Sequence, residues 1–270
     1  MKARFSLRML GVAVVGVLLA LVVAWCALWP HTRRPSGVLT LRAWVCYTVL
    51  TLVPSFGLLL SVLLSALLHH GNVTTTHCGV ANFWPSVSAA IGNNEPERFV
   101  WKLTVGLHNV LVLLDSGMAY DRLVQSPLVS VFLARLMAVC KALSCVCLFV
   151  LTFVSSTENF LVHELGFIGW LVFGSLGLLL FTGLWRRSVR LVTPREHFTW
   201  AWLRVCVAAY WTGLAGAALA YYVHNTHCIP YVYSLFGICE LIVIYSYVFG
   251  LGSGPAVAFV DKDSVIELRF

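Results

Sequence analysis

Imidazoles and carboxylates gather in three short polar stretches of an otherwise apolar chain. His69, His70 and His77 lie in the first, Glu158, His163 and Glu164 in the second, and His224, Asn225 and His227 in the third; His108 and Glu240 stand apart, each inside an apolar run. An imidazole takes up and returns a proton near neutral pH, and a neighbouring carboxylate tunes its basicity. Any of these histidines could supply a general base, and Glu158 and Glu164 beside His163 could tune its proton transfer. The same histidines could hold zinc with Glu164, or simply bond to loop backbone and lipid headgroups. No HExxH pattern accompanies them, and no metal is expected. Glu240 is the foremost intramembrane candidate, because a carboxylate in hydrocarbon needs a partner, a proton or a polar cavity. Arg98 and Lys102 would attract a phosphate-bearing headgroup, or equally well position a helix end. Arg135 and Lys141 either snorkel to one face or, for Arg135, pair with Glu240 or Asp115. No GxSxG, Walker, dinucleotide-binding or His-x4-Asp acyltransferase signature is present.

The elements that must position these groups are membrane helices. Of 270 residues 60% are hydrophobic and only 11% charged, too few polar groups to coat a soluble globule of this size. The expected fold is all-α, a polytopic bundle of six core helices plus one extra N-terminal helix. Uncharged windows predict spans at Leu10–Trp29, Ala43–Leu68, Leu165–Trp185, Val205–Val223 and Ile229–Leu251, the last containing Glu240. Leu103–Tyr120, with His108 and Asp115, and Pro127–Val154, with Arg135 and Lys141, are long enough to span and should turn their polar residues inward. Pro54 should kink its helix, and Gly213 with Gly216 should allow close packing. No internal repeat or Pro/Ser-rich linker divides the chain. The expected organisation is a hydrophobic helix and basic connector over 1–36, a six-helix membrane domain over 37–251, and a cytosolic tail over 252–270.

Basic residues orient the bundle. Over the six core spans, one side carries Arg33, Arg34, Arg42, Arg122, Arg186, Arg187, Arg190, Arg195, Arg204, Lys262 and Arg269, and the other only Arg98 and Lys102, 11 against 2. The richer side is expected to be cytosolic, which leaves loops 69–100, 155–164 and 224–228 in the lumen. The net charge of +7 thus reports topology, with no nucleic acid expected as partner. Lys2, Arg4 and Arg8 precede Leu10–Trp29 and Arg33 and Arg34 follow it, so charge does not orient that stretch; an uncleaved helix fits the count better than a signal peptide. Asn72, Val73 and Thr74 form a glycosylation sequon in the first loop, a triplet that is also common by chance. Cys78 and Cys228 alone fall in the oxidising loops, either disulfide-bonded or free.

The first loop reads THCGVANFWPSVSAAIGNNEPERFVW over 76–101. Together with GLH at 106–108, VLTFVSSTENFLVHE at 150–164, LLLFTGLWR at 178–186, HNTHC at 224–228 and the acid at Glu240, it resembles the post-GPI-attachment-to-proteins factor two family within the Frag, DRAM and Sfk group. The resemblance covers residues 40–270 and excludes the N-terminal helix; polarity departs from the pattern between Val110 and Gln125. It implies a Golgi and endoplasmic reticulum membrane protein needed for fatty-acid remodelling of GPI anchors, where lyso-GPI regains a saturated acyl chain, with GPI-anchored proteins as clients. Such a protein is either the acyltransferase, drawing on acyl-CoA or a phospholipid as donor and needing no bound cofactor, or an assisting factor. In a catalyst His163 or His108 would take the proton of the glycerol hydroxyl, Glu164 or Glu158 would orient that imidazole, and Arg98 would attract the inositol phosphate, with His224, Asn225 and Glu240 as further substrate contacts. A non-catalytic membrane scaffold or lipid sensor is the competing reading.

Overall fold

The computed structural model describes residues 38–189, 192–252 and 265–269, with side chains described over 48–250 apart from 190, 191 and 195. The expected span Leu10–Trp29 lies outside the described residues. Six described helices are long and apolar enough to cross a membrane. They are α1 (Ala43–Leu68), α4 (Glu97–Val124), α5 (Val131–Phe153), α6 (Phe160–Ser188), α7 (Pro194–His227) and α8 (Val232–Gly252). Each overlaps one of the six expected core spans: α4, α6 and α7 reach beyond theirs at both ends, while α5 starts four residues later than expected and α8 three. The 34 residues of α7 extend about 51 Å at 1.5 Å per residue, well beyond a hydrocarbon core of about 30 Å. The expected loop 224–228 is accordingly the last turn of that helix, closed by Cys228 in the left-handed conformation at φ 50°. Two short helices, α2 (His70–Val73) and α3 (Val87–Gly92), fill part of the first long connector.

Helix ends follow local chemistry. Thr193 and Glu196 form a reciprocal capping box at the start of α7, and the Asn159 side chain accepts from the Val162 N–H at the start of α6. Helix α5 packs along α6, α7 along α8, and α1 against both α4 and α8. Close approach depends on small residues. A Cβ at Gly57 would meet Thr104 Oγ1 of α4, and one at Gly213 or Gly216 would press on Ile242 or Cys239 of α8.

Polar residues inside the bundle are paired differently from expectation. Lys141 Nζ meets Asp115 Oδ2 at 2.5 Å, both buried, and the ammonium lies 5.0 Å from the Phe181 ring centre. Arg135 reaches neither Glu240 nor Asp115; its Nε donates to the Tyr120 hydroxyl at 3.4 Å. Two strands were not expected: β1 (Val38–Arg42) and β2 (Val265–Arg269) pair antiparallel, Val38 opposite Arg269. They bring the segments before α1 and after α8 together at one end of the bundle, as an even number of crossings requires.

Candidate active site

At the opposite end, helix α8 carries the loop that follows α1. Tyr231, Ser234, Gly237 and Glu240 recur every third residue and form one ridge. The Tyr231 N–H donates to the Ala81 carbonyl at 2.9 Å, and Ser234 Oγ accepts from the N–H groups of Phe83 and Trp84 at 3.0 and 3.1 Å. At Gly237 the Pro85 carbonyl comes so near that a Cβ would lie 2.3 Å from its oxygen. Glu240 Oε2 then accepts from the Val87 N–H at 2.8 Å. A disulfide joins Cys78 to Cys228 and closes the far end of the same loop. Ser86 caps α3 by accepting from the Ala89 N–H, so the chain through Ser88 is held at several points.

Beneath this loop lies a cavity of about 70 Å³, enough for several waters or a slender chain. Its walls include Val105, Leu148, Phe167, Trp170, Ile244 and Val248, and Pro54 of α1 also lines it. Polar groups along it include Ser88, His108, Thr152, Ser155, His163, Glu240 and Tyr247. His163 sits in the first turn of α6 with Nδ1 2.8 Å from the Val154 carbonyl, which needs a donor, and Nε2 3.3 Å from Ser88 Oγ. The bare Nε2 therefore accepts from the Ser88 hydroxyl. His108 is 6% exposed, and its Nδ1 and the Thr152 Oγ1 have no hydrogen-bond partner among the described residues.

Three sequence candidates, His108, His163 and Glu240, thus line one cavity. Glu164 does not: adjacent residues on a helix point about 100° apart, so His163 turns inward and Glu164 is exposed. Nor does Glu158 orient the imidazole, a task that falls to the Val154 carbonyl. Glu158 accepts from the Ser155 N–H at 2.9 Å and from Arg98 at 2.6 Å, which together hold its carboxyl at about 2, well below the ordinary 4.5. Arg98 is accordingly engaged in that ion pair, and Lys102 lies over the Phe153 ring at 5.3 Å.

His224 and Asn225 lie away from the cavity. His224 is fully buried under the disulfide between the rings of His77 and Tyr233, and exposed Asn225 bonds back to the Tyr221 carbonyl. Asn72 is exposed in α2. His77 Nε2 approaches both cysteine sulfurs, but a disulfide offers a metal no thiolate.

Two groups escaped the sequence reading. Ser88 looks locally like its neighbour Ser86, and only the fold distinguishes a helix cap from a histidine partner. Glu97 is fully buried at the start of α4, its Oε1 2.7 Å from His69 Nδ1; the motif around Arg98 was the available signal.

Residues 42–253 match the family described as the Frag1/DRAM/Sfk1/Cwh43P N-terminal domain. Among curated relatives, "Acyltransferase PGAP2" of Xenopus tropicalis is 36% identical over 72% of this chain and 79% of its own length. "Post-GPI attachment to proteins factor 2" of Caenorhabditis elegans is 33% identical over 73% of this chain and 78% of its own. The Danio rerio protein, again "Acyltransferase PGAP2", is 32% identical over 65% and 78%. No solved structure matches. With the family match running the length of the six-span bundle and this breadth of identity beside it, the chain belongs to the Frag1/DRAM/Sfk1/Cwh43P N-terminal domain family, among the post-GPI attachment to proteins factor 2 proteins.

Proposed function

We propose that this protein is itself an acyltransferase of GPI-anchor lipid remodelling, returning a saturated acyl chain to lyso-GPI in the membranes of the Golgi and endoplasmic reticulum. The observation that carries the reading is one apolar cavity that holds a correctly presented base, His163 Nε2, at the end of the bundle where the disulfide lies. That end faces the lumen in this reading, because a disulfide forms and persists in an oxidising compartment and the charge count assigns the opposite end, with the C-terminus, to the cytosol. Lyso-GPI and the acyl donor share the lumenal leaflet and enter sideways between helices. Maturation and surface transport of GPI-anchored proteins depend on the product. The names of the relatives support this assignment, two of them by the word acyltransferase.

The test is transfer by the full-length protein alone in nanodiscs, with labelled acyl-CoA in one arm and a labelled phospholipid in the other. The wild type should form diacyl product from lyso-GPI with one donor, and His163→Ala should be slower by about 100-fold or more. Folded wild type that binds lyso-GPI but makes no product with either donor is an assisting factor; failure to bind as well favours a scaffold or lipid sensor.

A further inference from the structure

We propose that Ser88 is the acyl-accepting nucleophile of this cavity, so that the acyl chain passes through a serine ester instead of moving directly from donor to acceptor. The inference rests on the acyltransferase reading and adds a covalent step to it. Three observations carry it. The first is the pair itself: Ser88 Oγ lies 3.3 Å from His163 Nε2, while the Val154 carbonyl, 2.8 Å from Nδ1, leaves Nε2 free to accept the serine proton. A backbone carbonyl here fills the orienting role that a carboxylate has in other hydroxyl–imidazole pairs.

The second is that Ser88 is placed where its neighbour is not. Ser86 Oγ is taken up by the Ala89 N–H and lies 3.5 Å from the Tyr233 hydroxyl, whereas Ser88 lines the cavity. Glu240 acts as a positioning residue, since its bond to the Val87 N–H holds the peptide next to the nucleophile. The third is the unsatisfied polarity of the walls. His108 Nδ1, on a side chain more than nine-tenths buried, and Thr152 Oγ1 have no partner among the described residues, so a polar group arriving with an acyl chain finds hydrogen-bonding capacity in an otherwise apolar space.

The steps balance without redox change. Ser88 Oγ attacks the carbonyl carbon of an acyl ester or thioester, and its proton passes to His163 Nε2. The bond from that carbon to the donor's oxygen or sulfur breaks, and the leaving atom takes the proton from Nε2. After the deacylated donor departs, the glycerol hydroxyl of the lyso-lipid gives its proton to Nε2 and attacks the acyl-serine carbonyl. The bond to Ser88 Oγ breaks, and Oγ recovers the proton. Phospholipid ester and CoA thioester share this chemistry, and separate donor arms distinguish them.

The experiment incubates full-length wild type in nanodiscs with labelled stearoyl phosphatidylcholine or stearoyl-CoA, without lyso-GPI, followed by acid quench and peptide mass spectrometry. Label is expected on Ser88 from one donor, and it should be discharged to product when lyso-GPI is added. Ser88→Ala should lose the label and slow transfer by about a thousandfold or more. Ser88→Cys, whose intact disulfide and unfolding midpoint report folding, should carry a hydroxylamine-labile acyl thioester and become sensitive to alkylating reagents. Should Ser88→Ala collapse, that cysteine variant carries the test. Transfer by folded Ser88→Ala within tenfold of wild type, or transfer by wild type with Ser88 never acylated, would overturn the covalent step and leave the acyltransferase reading intact. Acylation of Ser88 without transfer to lyso-GPI upholds the nucleophile and removes the proposed acceptor. Neither label nor product with either donor removes both.

Discussion

Replacing Gly237 by alanine tests whether the seat of the loop on α8 is what positions the reactive groups. A Cβ there would stand 2.3 Å from the Pro85 oxygen, 2.9 Å from its carbonyl carbon and 3.2 Å from Ser86 Cα. Real Cβ contacts essentially never fall below 3.0 Å, so backbone must retreat by at least 0.7 Å. The obstacle is a peptide group tied down on both sides, and no rotamer change relieves it. Overpacking of this kind costs about 1–3 kcal/mol, and weakening the bond between Val87 N–H and Glu240 adds about 1–2 kcal/mol. Better helix propensity of alanine returns about 1 kcal/mol, for a net loss of about 1–4 kcal/mol. Activity should fall further, because a shift approaching 1 Å at a reacting group costs about 100-fold. The control is Gly183→Ala on α6, where nothing among the described residues lies within 4 Å of the added carbon. Unfolding midpoints and acyl-transfer rates of the two variants are compared in the same nanodiscs. Gly237→Ala matching Gly183→Ala in both would refute the argument that the α8 ridge holds Ser88 in place.

Removing Lys141 while keeping Asp115 leaves a buried carboxylate without its cation, so Lys141→Met should destabilise by about 3–5 kcal/mol, and Asp115→Asn combined with Lys141→Met should recover most of that in thermal unfolding. Glu240→Gln keeps an oxygen for the Val87 N–H and should preserve both fold and transfer, whereas Glu240→Leu leaves that N–H unpaired, costs about 1–3 kcal/mol and slows transfer; a dead but stable Glu240→Gln would mean that the carboxyl moves a proton. Glu158 has a folded value of about 2 against 4.5, so its contribution is complete above pH 4.5 and is lost as pH falls towards 2. The difference in unfolding midpoint between wild type and Glu158→Gln should therefore be flat from pH 7 to 5 and shrink below 4.5.

The spans were legible because a bilayer demands long apolar runs, and each of the six core runs in the sequence holds a helix. Glu240 stood out for the same reason, as a carboxylate where hydrocarbon was expected. What local sequence does not carry is the choice of partner. Asp115 and Lys141 are 26 residues apart and either could have met other charges; crossing geometry, set in part by Gly177 packing against the Lys141 side chain, decides it. His163 and Glu164 are adjacent in sequence and looked like a base with its acid, yet the helix starts at Phe160 and separates their directions. Strands β1 and β2 were missed because five-residue segments more than two hundred positions apart reveal pairing only once the bundle brings them together.

Polar groups in this bundle are buried in two different ways, and the contrast bears on where an acyl carbonyl comes to rest. Along α8 the cavity runs from Glu240 to Val248, eight residues or about 12 Å. At its deep end stands Tyr247, whose hydroxyl is bonded to Ser144, which in turn donates to the Lys141 carbonyl beside the Asp115 pair. That network is closed on itself and offers an incoming polar group little. At the shallow end Ser88 and His163 meet, with Glu240 fixing the adjacent peptide. An acyl chain that enters tail first gains by covering the apolar walls over that depth, while its carbonyl is costly to desolvate except where donors remain. Both preferences are met only with the tail toward Tyr247 and the carbonyl at the level of Ser88. The slot therefore orients the acyl group before any bond changes, and filling it from the deep end should act on chain length first: Ile244→Phe or Val248→Phe should lower the rate for long saturated chains more than for short ones, while a uniform loss across chain lengths would place the acyl tail elsewhere.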